Sequence, residues 1–169
     1  MKRNQVEPVQ KTLLVDSPDI LSTFTLDVED SLQLWDYTDL VVKVLASIRL
    51  EIPIENQKIS IKICNSAESK KTNKKFRSKN KSTNVLAFPC GNDIFSLPNH
   101  LGDILICDEV VLSEAKFLGI DFEERFSHML IHGILHLKGY LHDNKSSADI
   151  MEKLESKIMV KLGYSNPYV

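Results

Sequence analysis

The segment 132–143, HGILHLKGYLHD, constrains the fold of this chain more than any other. His132 and His136 are four residues apart, and on an α-helix that spacing places both side chains on one face with Cβ atoms about 5–6 Å apart. Gly139 stands where helices commonly end on a residue of left-handed conformation. The spacing therefore predicts a helix that ends near Gly139 and a turn that brings His142 back beside the first two histidines.

Three imidazoles that converge in this way are typical of a metal site. Catalytic zinc sites keep three protein ligands, at Zn–N distances of about 2.0–2.1 Å, with water in the fourth position. We predict that His132, His136 and His142 bind one Zn²⁺ ion per chain. Three imidazoles also accept nickel, cobalt or copper, so the residues alone leave the metal open.

His128 continues the same helical stripe and is a competing candidate. It is eight residues from His136, which corresponds to about 12 Å of helix rise, so these two cannot share one ion. The pair could be 128/132 or 132/136, but only the second lies next to the turn that returns His142. We therefore expect His128 to pack or hydrogen-bond behind the ligands.

The overall composition fits one soluble domain. The chain has 169 residues, of which 43% are hydrophobic and 26% charged, enough for a substantial core. Three widely spaced cysteines argue against a disulfide framework and favour a reducing cytoplasm. The N-terminus lacks the apolar stretch of a signal peptide, and no run approaches the roughly 20 apolar residues of a membrane helix. We expect a cytoplasmic protein without a membrane partner, with a flexible segment 1–11 and one domain over 12–169.

Hydrophobic periodicity predicts alternating strands and helices. Residues 58–63 alternate with period two and 101–107 form an apolar run, which indicates strands. Apolar residues recur at helical spacing in several segments, and Asp121 and Glu124 have the spacing of an N-cap and its N3 partner at the start of the histidine-bearing helix. The remaining predictions are strands at 12–15, 21–30 and 82–89, helices at 32–50, 108–118, 121–138 and 146–162, and a loop at 90–100. This order predicts an α+β fold with a small mixed sheet backed by helices.

A basic run precedes one of these strands. Seven cations lie within residues 70–81, in a chain whose net charge is −2. Most such runs are solvated helix faces, but this one leads directly into the strand at 82–89. Close to a hydrolytic metal, it would concentrate a polyanion and bind its phosphates, for which a peptidase has no obvious need. The cations are Lys70, Lys71, Lys74, Lys75, Arg77, Lys79 and Lys81.

The residue after the first histidine separates reaction classes. Zinc peptidases with an HExxH motif have a glutamate there as general base. Here the position is Gly133, which cannot transfer a proton, although the spacing through Gly139 to His142 matches the metzincin pattern. This favours a zinc-peptidase-like scaffold that cleaves phosphodiesters, because a metal and a guanidinium can neutralise the charge that develops on phosphorus.

The sequence resembles the YbeY family of bacterial single-strand-specific metallo-endoribonucleases. The resemblance covers roughly residues 59–168. It rests on HGILHLKGYLH, on NVL followed by FP within 84–89, on LGDI at 101–104, and on LGY and PY within 162–168. It implies a zincin-like fold and a cytoplasmic zinc enzyme that acts in 16S rRNA 3′-end maturation and ribosome quality control.

The resemblance also implies roles for individual residues. It gives the three histidines as metal ligands and places the family's important arginine at Arg77, which we predict to be catalytic. The expected partners are single-stranded RNA, namely the 16S rRNA precursor, and the ribosome or its small subunit, with no DNA. We expect substrate contacts from Arg77, Lys79, Lys81, Thr83 and Asn84.

Three positions depart from the family's usual pattern. Leu141 replaces Asp, Ser82 replaces Pro, and Ala87 replaces Ser. The first change removes a carboxylate beside the third histidine, and neighbouring Asp143 could take its place. We predict that Asp143 and His128 contact the metal ligands without binding the metal themselves.

Two alternatives stay open at this point. One is another metal-dependent hydrolase on the same three histidines, including a peptidase whose base lies outside the motif. The other is a ribosome-associated RNA-binding protein with a structural metal. Three ligands argue against the latter, because structural zinc is almost always held by four protein ligands.

Overall fold

The structure is a computed structural model that describes residues 11–17, 22–28, 37–91 and 98–169. Within these ranges the chain forms five strands and five helices. The strands are β1 (Lys11–Ser17), β2 (Ser22–Val28), β3 (Lys58–Cys64), β4 (Val85–Pro89) and β5 (His100–Cys107). The helices are α1 (Tyr37–Arg49), α2 (Ser66–Arg77), α3 (Asp108–Leu118), α4 (Phe122–Leu137) and α5 (Lys145–Lys161).

The strands form one mixed sheet in the order β1-β2-β3-β5-β4. β1 and β2 are an antiparallel pair, whereas β2, β3 and β5 run parallel. β4 lies at the edge and is antiparallel to β5. The alternation read from the sequence is realised in β3, where Ile59, Ile61 and Ile63 are all buried.

Helix α4 is the centre of the main core. It contacts β4 and β5 on the sheet and also α1, α3 and α5. Phe126, Leu130 and Ile134 on this helix are fully buried. The opposite face of the sheet carries α2 over a smaller cluster of Cys64, Leu86, Leu105 and Cys107. The predicted α+β fold, a mixed sheet backed by helices in a single domain, is confirmed.

Several predicted boundaries need correction or lie outside the described residues. β1 begins at Lys11, and the rest of the predicted flexible segment, 1–10, is not described. The described part of the helix predicted at 32–50 begins at Tyr37. Residues 92–97 of the predicted loop are not described, and His100 already belongs to β5. Asp121 is the N-cap of α4, but its side chain makes no capping hydrogen bond, so the reciprocal cap with Glu124 is not formed.

The strand predicted at 82–89 begins only at Val85, because the preceding loop is tied to α2. Ser69 Oγ donates to the carbonyl of Thr83 at 2.8 Å and accepts from its N–H at 3.0 Å. Asn73 Nδ2 donates to the carbonyl of Lys81 at 2.7 Å. Ser69 and Asn73 are the two buried residues of α2, whose other residues are exposed or half-buried. They fix the course of the basic loop between α2 and the edge strand.

In the described part of the chain, no helix is long and apolar enough to cross a membrane.

Candidate metal centre

The end of α4 has the geometry that the sequence predicts. Gly139 adopts φ 87°, a left-handed conformation that favours glycine. Its N–H donates to the carbonyl of His136 at 3.0 Å, and the N–H of Tyr140 donates to the carbonyl of Leu135 at 3.0 Å. These two bonds form a Schellman motif, which ends the helix and reverses the chain. His142 follows directly on the returning segment.

The turn brings the three histidines together. Their ligating atoms all lie within 4.8 Å of one another, and Nε2 of His132 is 3.0 Å from Nε2 of His136. The His142 ring centroid is 5.6 Å from that of His132 and 5.0 Å from that of His136. A tetrahedral zinc with bonds of 2.0–2.1 Å separates its ligand nitrogens by about 3.3 Å. The cluster therefore has the dimensions of a metal site.

Hydrogen bonds to the other ring nitrogens explain why the Nε2 atoms face each other. Nδ1 of His132 lies 2.8 Å from Oε1 of Glu155, and Nδ1 of His136 lies 2.9 Å from the carbonyl oxygen of Tyr140. A carboxylate and a carbonyl only accept, so each Nδ1 carries the proton and donates it. The Nε2 atoms of the two rings then face each other over 3.0 Å. With the proton on Nδ1 of each ring, both Nε2 atoms can offer a lone pair to the same cation, so the donor set fits a metal.

The local electrostatics keep His136 in its ligating form. Burial lowers its pKa, and the neighbouring His132 and His142, together with the Arg77 guanidinium, lower it further. This outweighs the hydrogen bond to the Tyr140 carbonyl, which acts in the opposite direction. Since a histidine must be neutral to bind a metal, the site favours binding at this ligand.

Glu155 is a buried carboxylate behind the cluster, with a side chain only 1% exposed. Burial raises its pKa, but hydrogen bonds from His128, His132 and Tyr168 outweigh that effect and hold the pKa at about 2. The tyrosine hydroxyl donates to Oε2, and Nε2 of His128 lies 3.2 Å from the same oxygen. Glu155 is therefore an anion at neutral pH and fixes the orientation of His132.

A chain of hydrogen bonds extends from Glu155 to the edge strand. Nδ1 of His128 lies 3.1 Å from Nη1 of Arg125, and Nε of Arg125 donates to Glu114 at 2.8 Å. Glu114 in turn accepts from Asn84 Nδ2 at 3.1 and 3.2 Å. This network joins α5, α4, α3 and the start of β4, so the histidine cluster is held by four elements at once.

The predicted site residues fall into distinct places. His128 lies outside the three-histidine group and contacts Glu155, whereas Asp143 is exposed on the returning segment.

Arg77 is the last residue of α2, and its charge acts on His136. Lys79 and Lys81 are exposed. The Asn84 side chain bonds to Glu114 and to the N–H of Val85, and the Thr83 hydroxyl donates to Asn84 at 3.4 Å. Substrate contacts from these residues stay predictions.

Sequence reasoning missed Glu155, Tyr168, Arg125 and Glu114. A signal for Glu155 was present, because it shares the buried stripe of α5 with Met151, Ile158 and Met159. A carboxylate on a buried helical stripe needs a partner, and the histidines are the available donors. Tyr168 belongs to the PY pair on which the family resemblance partly rests, but that pair does not show its contact with Glu155. For Arg125 and Glu114 the sequence offers no comparable pattern.

Gly133, next to the first histidine, faces the sheet and not the cluster. A Cβ added there would lie 3.2 Å from Cγ2 of Val85 and 3.3 Å from Cδ1 of Ile104. The helix therefore packs closely on β4 and β5, and a glutamate at this position would point at the side chains of Val85 and Ile104, which would have to shift. The general base of HExxH peptidases has no counterpart here.

The mixed sheet with its antiparallel edge strand, the central helix and the histidines across its terminal turn define an α+β protein with a helix-borne three-histidine cluster that is compatible with a metal site. The profile of the family described as Endoribonuclease YbeY matches residues 25–163. The chain therefore belongs to the YbeY endoribonuclease family.

Individual relatives agree with this assignment. The chain is 48% identical over 114 residues to an Endoribonuclease YbeY of Buchnera aphidicola subsp. Baizongia pistaciae, covering 68% of this chain and 74% of the relative. It is 36% identical over 154 residues to that of Legionella pneumophila strain Corby, covering 86% and 94% respectively. The solution structure of TM1509 from Thermotoga maritima matches with a TM-score of 0.54 and 23% identity, over 86% of this chain and 99% of that one. This last likeness concerns the fold alone.

Proposed function

We propose that this protein is a zinc-dependent, single-strand-specific endoribonuclease. The observation that carries the proposal is the pair of Nε2 atoms facing each other at 3.0 Å, with His142 beside them and the guanidinium of Arg77 near enough to act on His136. This arrangement combines a metal-binding donor set with a group suited to phosphate.

His132, His136 and His142 would hold one zinc ion per chain. When bound, zinc polarises a phosphoryl oxygen and lowers the pKa of its water to about 7, which supplies hydroxide at neutral pH. Glu155 and the Tyr140 carbonyl keep two of the rings in the ligating tautomer. These contacts mean that the protein reorganises little when metal and substrate bind.

Arg77 would orient the phosphodiester. A guanidinium donates two parallel hydrogen bonds to non-bridging phosphate oxygens and stays charged at all working pH values. Placed at the end of α2 beside the cluster, it would stabilise the negative charge that grows in the transition state. Lys79 and Lys81, exposed on the loop that follows, would attract the flanking phosphates.

The same geometry disfavours peptide hydrolysis. A peptidase must deliver a proton to a poor amine leaving group, and its usual base would stand at position 133. That position holds a glycine packed against Val85 and Ile104. A purely structural metal is disfavoured because, among the described residues, three side chains and not four converge on the site.

The resemblance to the family extends the proposal to a cellular role. We infer that the substrate is the precursor of 16S rRNA, cleaved during 3′-end maturation and ribosome quality control on the small subunit in the cytoplasm. The basic residues of α2 and its loop support a polyanionic substrate. The domain proposed for this activity spans 12–169.

The test is to incubate the purified protein with labelled single-stranded RNA, double-stranded RNA and casein, with and without a chelator. We expect cleavage of single-stranded RNA only, loss of cleavage with the chelator, and recovery on adding zinc. His136→Ala serves as the matched inactive protein and excludes a contaminating nuclease. Cleavage of casein with RNA left intact would establish a peptidase, and absence of any hydrolysis by zinc-loaded protein would overturn the enzymatic proposal.

A further inference from the structure

Phe76 is an exposed aromatic ring within the most basic stretch of the chain. In the sequence it stands between Lys75 and Arg77 near the end of α2, and the residue is 58% exposed. Leaving a large apolar ring in water forgoes the stabilisation that burial would provide. A surface that retains such a ring among cations is suited to a ligand with both a flat apolar face and negative charge.

The ring is held in place from the protein side. Its centroid is 5.1 Å from that of Phe88 on β4, at an interplanar angle of 64°. Phe88 itself packs against the small core cluster under α2. This edge-to-face contact fixes the orientation of Phe76, so a ligand that stacks on it meets a preformed surface.

One cation lies over the face of the ring. Nζ of Lys75 is 5.0 Å from the ring centroid, at the end of an exposed and flexible side chain that a stacking base would displace toward its own phosphate. A groove of about 520 Å³ runs along α2 and is lined by the Phe76 ring, by Lys71, Thr72 and Lys75, and, further from the ring, by Glu68. The ammonium groups of Lys71 and Lys75 are exposed and can move to pair with phosphates that enter this groove.

The position of Phe76 relative to Arg77 follows from the geometry of the helix. It is the residue immediately before Arg77, so their Cα atoms are about 3.8 Å apart. Successive residues on a helix point in directions about 100° apart. Phe76 therefore presents its ring beside the phosphate-binding position and not inside it.

We propose that Phe76 is a stacking platform for an unpaired base of the RNA, next to the nucleotide whose phosphate is gripped by Arg77. This inference rests on the proposed function and adds a physical source of single-strand preference. Stacking of a base on an aromatic side chain tolerates any sequence, because every base has a flat π-face. A base within a duplex is already stacked and paired, so it cannot offer its face to Phe76.

Binding is tested without cleavage, by adding excess chelator to the full-length protein. The probe is a single-stranded RNA oligonucleotide with 2-aminopurine at successive positions, because its fluorescence changes on stacking. Variants Phe76→Leu and Phe76→Tyr are compared with Phe117→Leu, which alters a 90% exposed phenylalanine on α3. Leucine keeps apolar area and helix propensity, so only the flat face is lost.

We expect Phe76→Leu to weaken oligonucleotide binding about 5- to 160-fold. It should also abolish the fluorescence change at one position and leave binding of an oligonucleotide that is abasic at that position unchanged. Phe76→Tyr and Phe117→Leu should bind as the unmodified protein does. The proposal is overturned if Phe76→Leu binds with unchanged affinity, or if the unmodified protein binds intact and abasic oligonucleotides equally.

Cleavage and binding assays distinguish failure of the stacking role from failure of the proposed endoribonuclease function. RNA cleavage by the zinc-loaded unmodified protein, with unchanged KM in Phe76→Leu, would remove the stacking role and leave the endoribonuclease intact. Failure of the unmodified protein to bind RNA at all would remove both.

Discussion

Nδ1 of His132 lies 2.8 Å from Oε1 of Glu155. This contact joins the first residue of the histidine motif to a carboxylate 23 positions later in the chain. Through Glu155, a candidate metal ligand on α4 is oriented by α5, a helix that contributes none of the three histidines.

Glu155→Gln should lower zinc affinity about 10- to 100-fold, the usual effect of removing a partner that orients a ligand. Glutamine keeps the shape of the side chain but loses the negative charge that strengthens the bond to His132. The measurement is competition with a chromophoric chelator. Glu152→Gln, on the exposed side of the same helix, is the matched control and should bind zinc normally. Equal affinities in the two variants would contradict the role of Glu155.

In the metal-free protein, His136 should titrate below its ordinary pKa of 6.5, because its burial and neighbouring cations disfavour the protonated form. Its contribution to folding stability is therefore complete above pH 6.5 and is lost as pH falls through the lowered value. Histidine ring signals followed by NMR against pH provide the measurement. Arg77→Gln should shift the His136 midpoint upward, since one of the responsible charges is removed. A midpoint at or above 6.5 in the unmodified protein would contradict this description.

Replacing His128 and His136 in turn should show which of them binds the metal together with His132. His136→Ala should lose zinc almost completely, because only two of the three converging nitrogens would be left. His128→Ala should retain about one zinc per chain, with affinity reduced only through its contact with Glu155. Metal content of dialysed protein, measured by atomic emission, distinguishes them. Equal loss in both variants would show that His128 is itself a ligand.

Arg77→Lys should reduce saturated turnover strongly, while zinc content stays unchanged and RNA binding weakens only modestly. Lysine keeps the charge but cannot donate two parallel hydrogen bonds to one phosphate. Changing Lys70 and Lys74 to Gln is the matched comparison. It should instead weaken RNA binding and flatten its salt dependence, because fewer counterions are released. Normal turnover in Arg77→Lys would show that Arg77 contributes only positive charge and has no specific role in the site.

Gly133→Ala should destabilise the protein despite the better helix propensity of alanine. The added methyl would meet Val85 at 3.2 Å and Ile104 at 3.3 Å. Such overpacking costs about 1–3 kcal/mol, against a gain of about 1 kcal/mol from propensity. Urea unfolding gives the difference. In a Val85→Ala background the nearest contact is absent, so the same change should cost less. An equal cost in both backgrounds would mean that the contact with Val85 is not responsible.

The parts of this protein that local sequence patterns could predict are those with a short-range physical cause. Alternating isoleucines predicted β3, and helical spacing followed by Gly139 predicted both the end of α4 and the return of His142. The start of β4 was predicted three residues early, because it depends on hydrogen bonds from Ser69 and Asn73 to a loop that follows their helix. The contact of Glu155 with His132 likewise depends on how two helices pack. Such long-range relationships have no period or spacing in the sequence.

The turn after α4 has a further consequence for how the site can change during evolution. The peptide of Tyr140 orients His136 through its carbonyl oxygen, and the same short segment carries His142. An insertion or deletion between residues 138 and 141 would therefore misplace two of the three histidines at once. The side chain at 141, by contrast, is 49% exposed, and the backbone does the positioning. This segment can thus accept new residues, such as the leucine found here, while its length stays fixed.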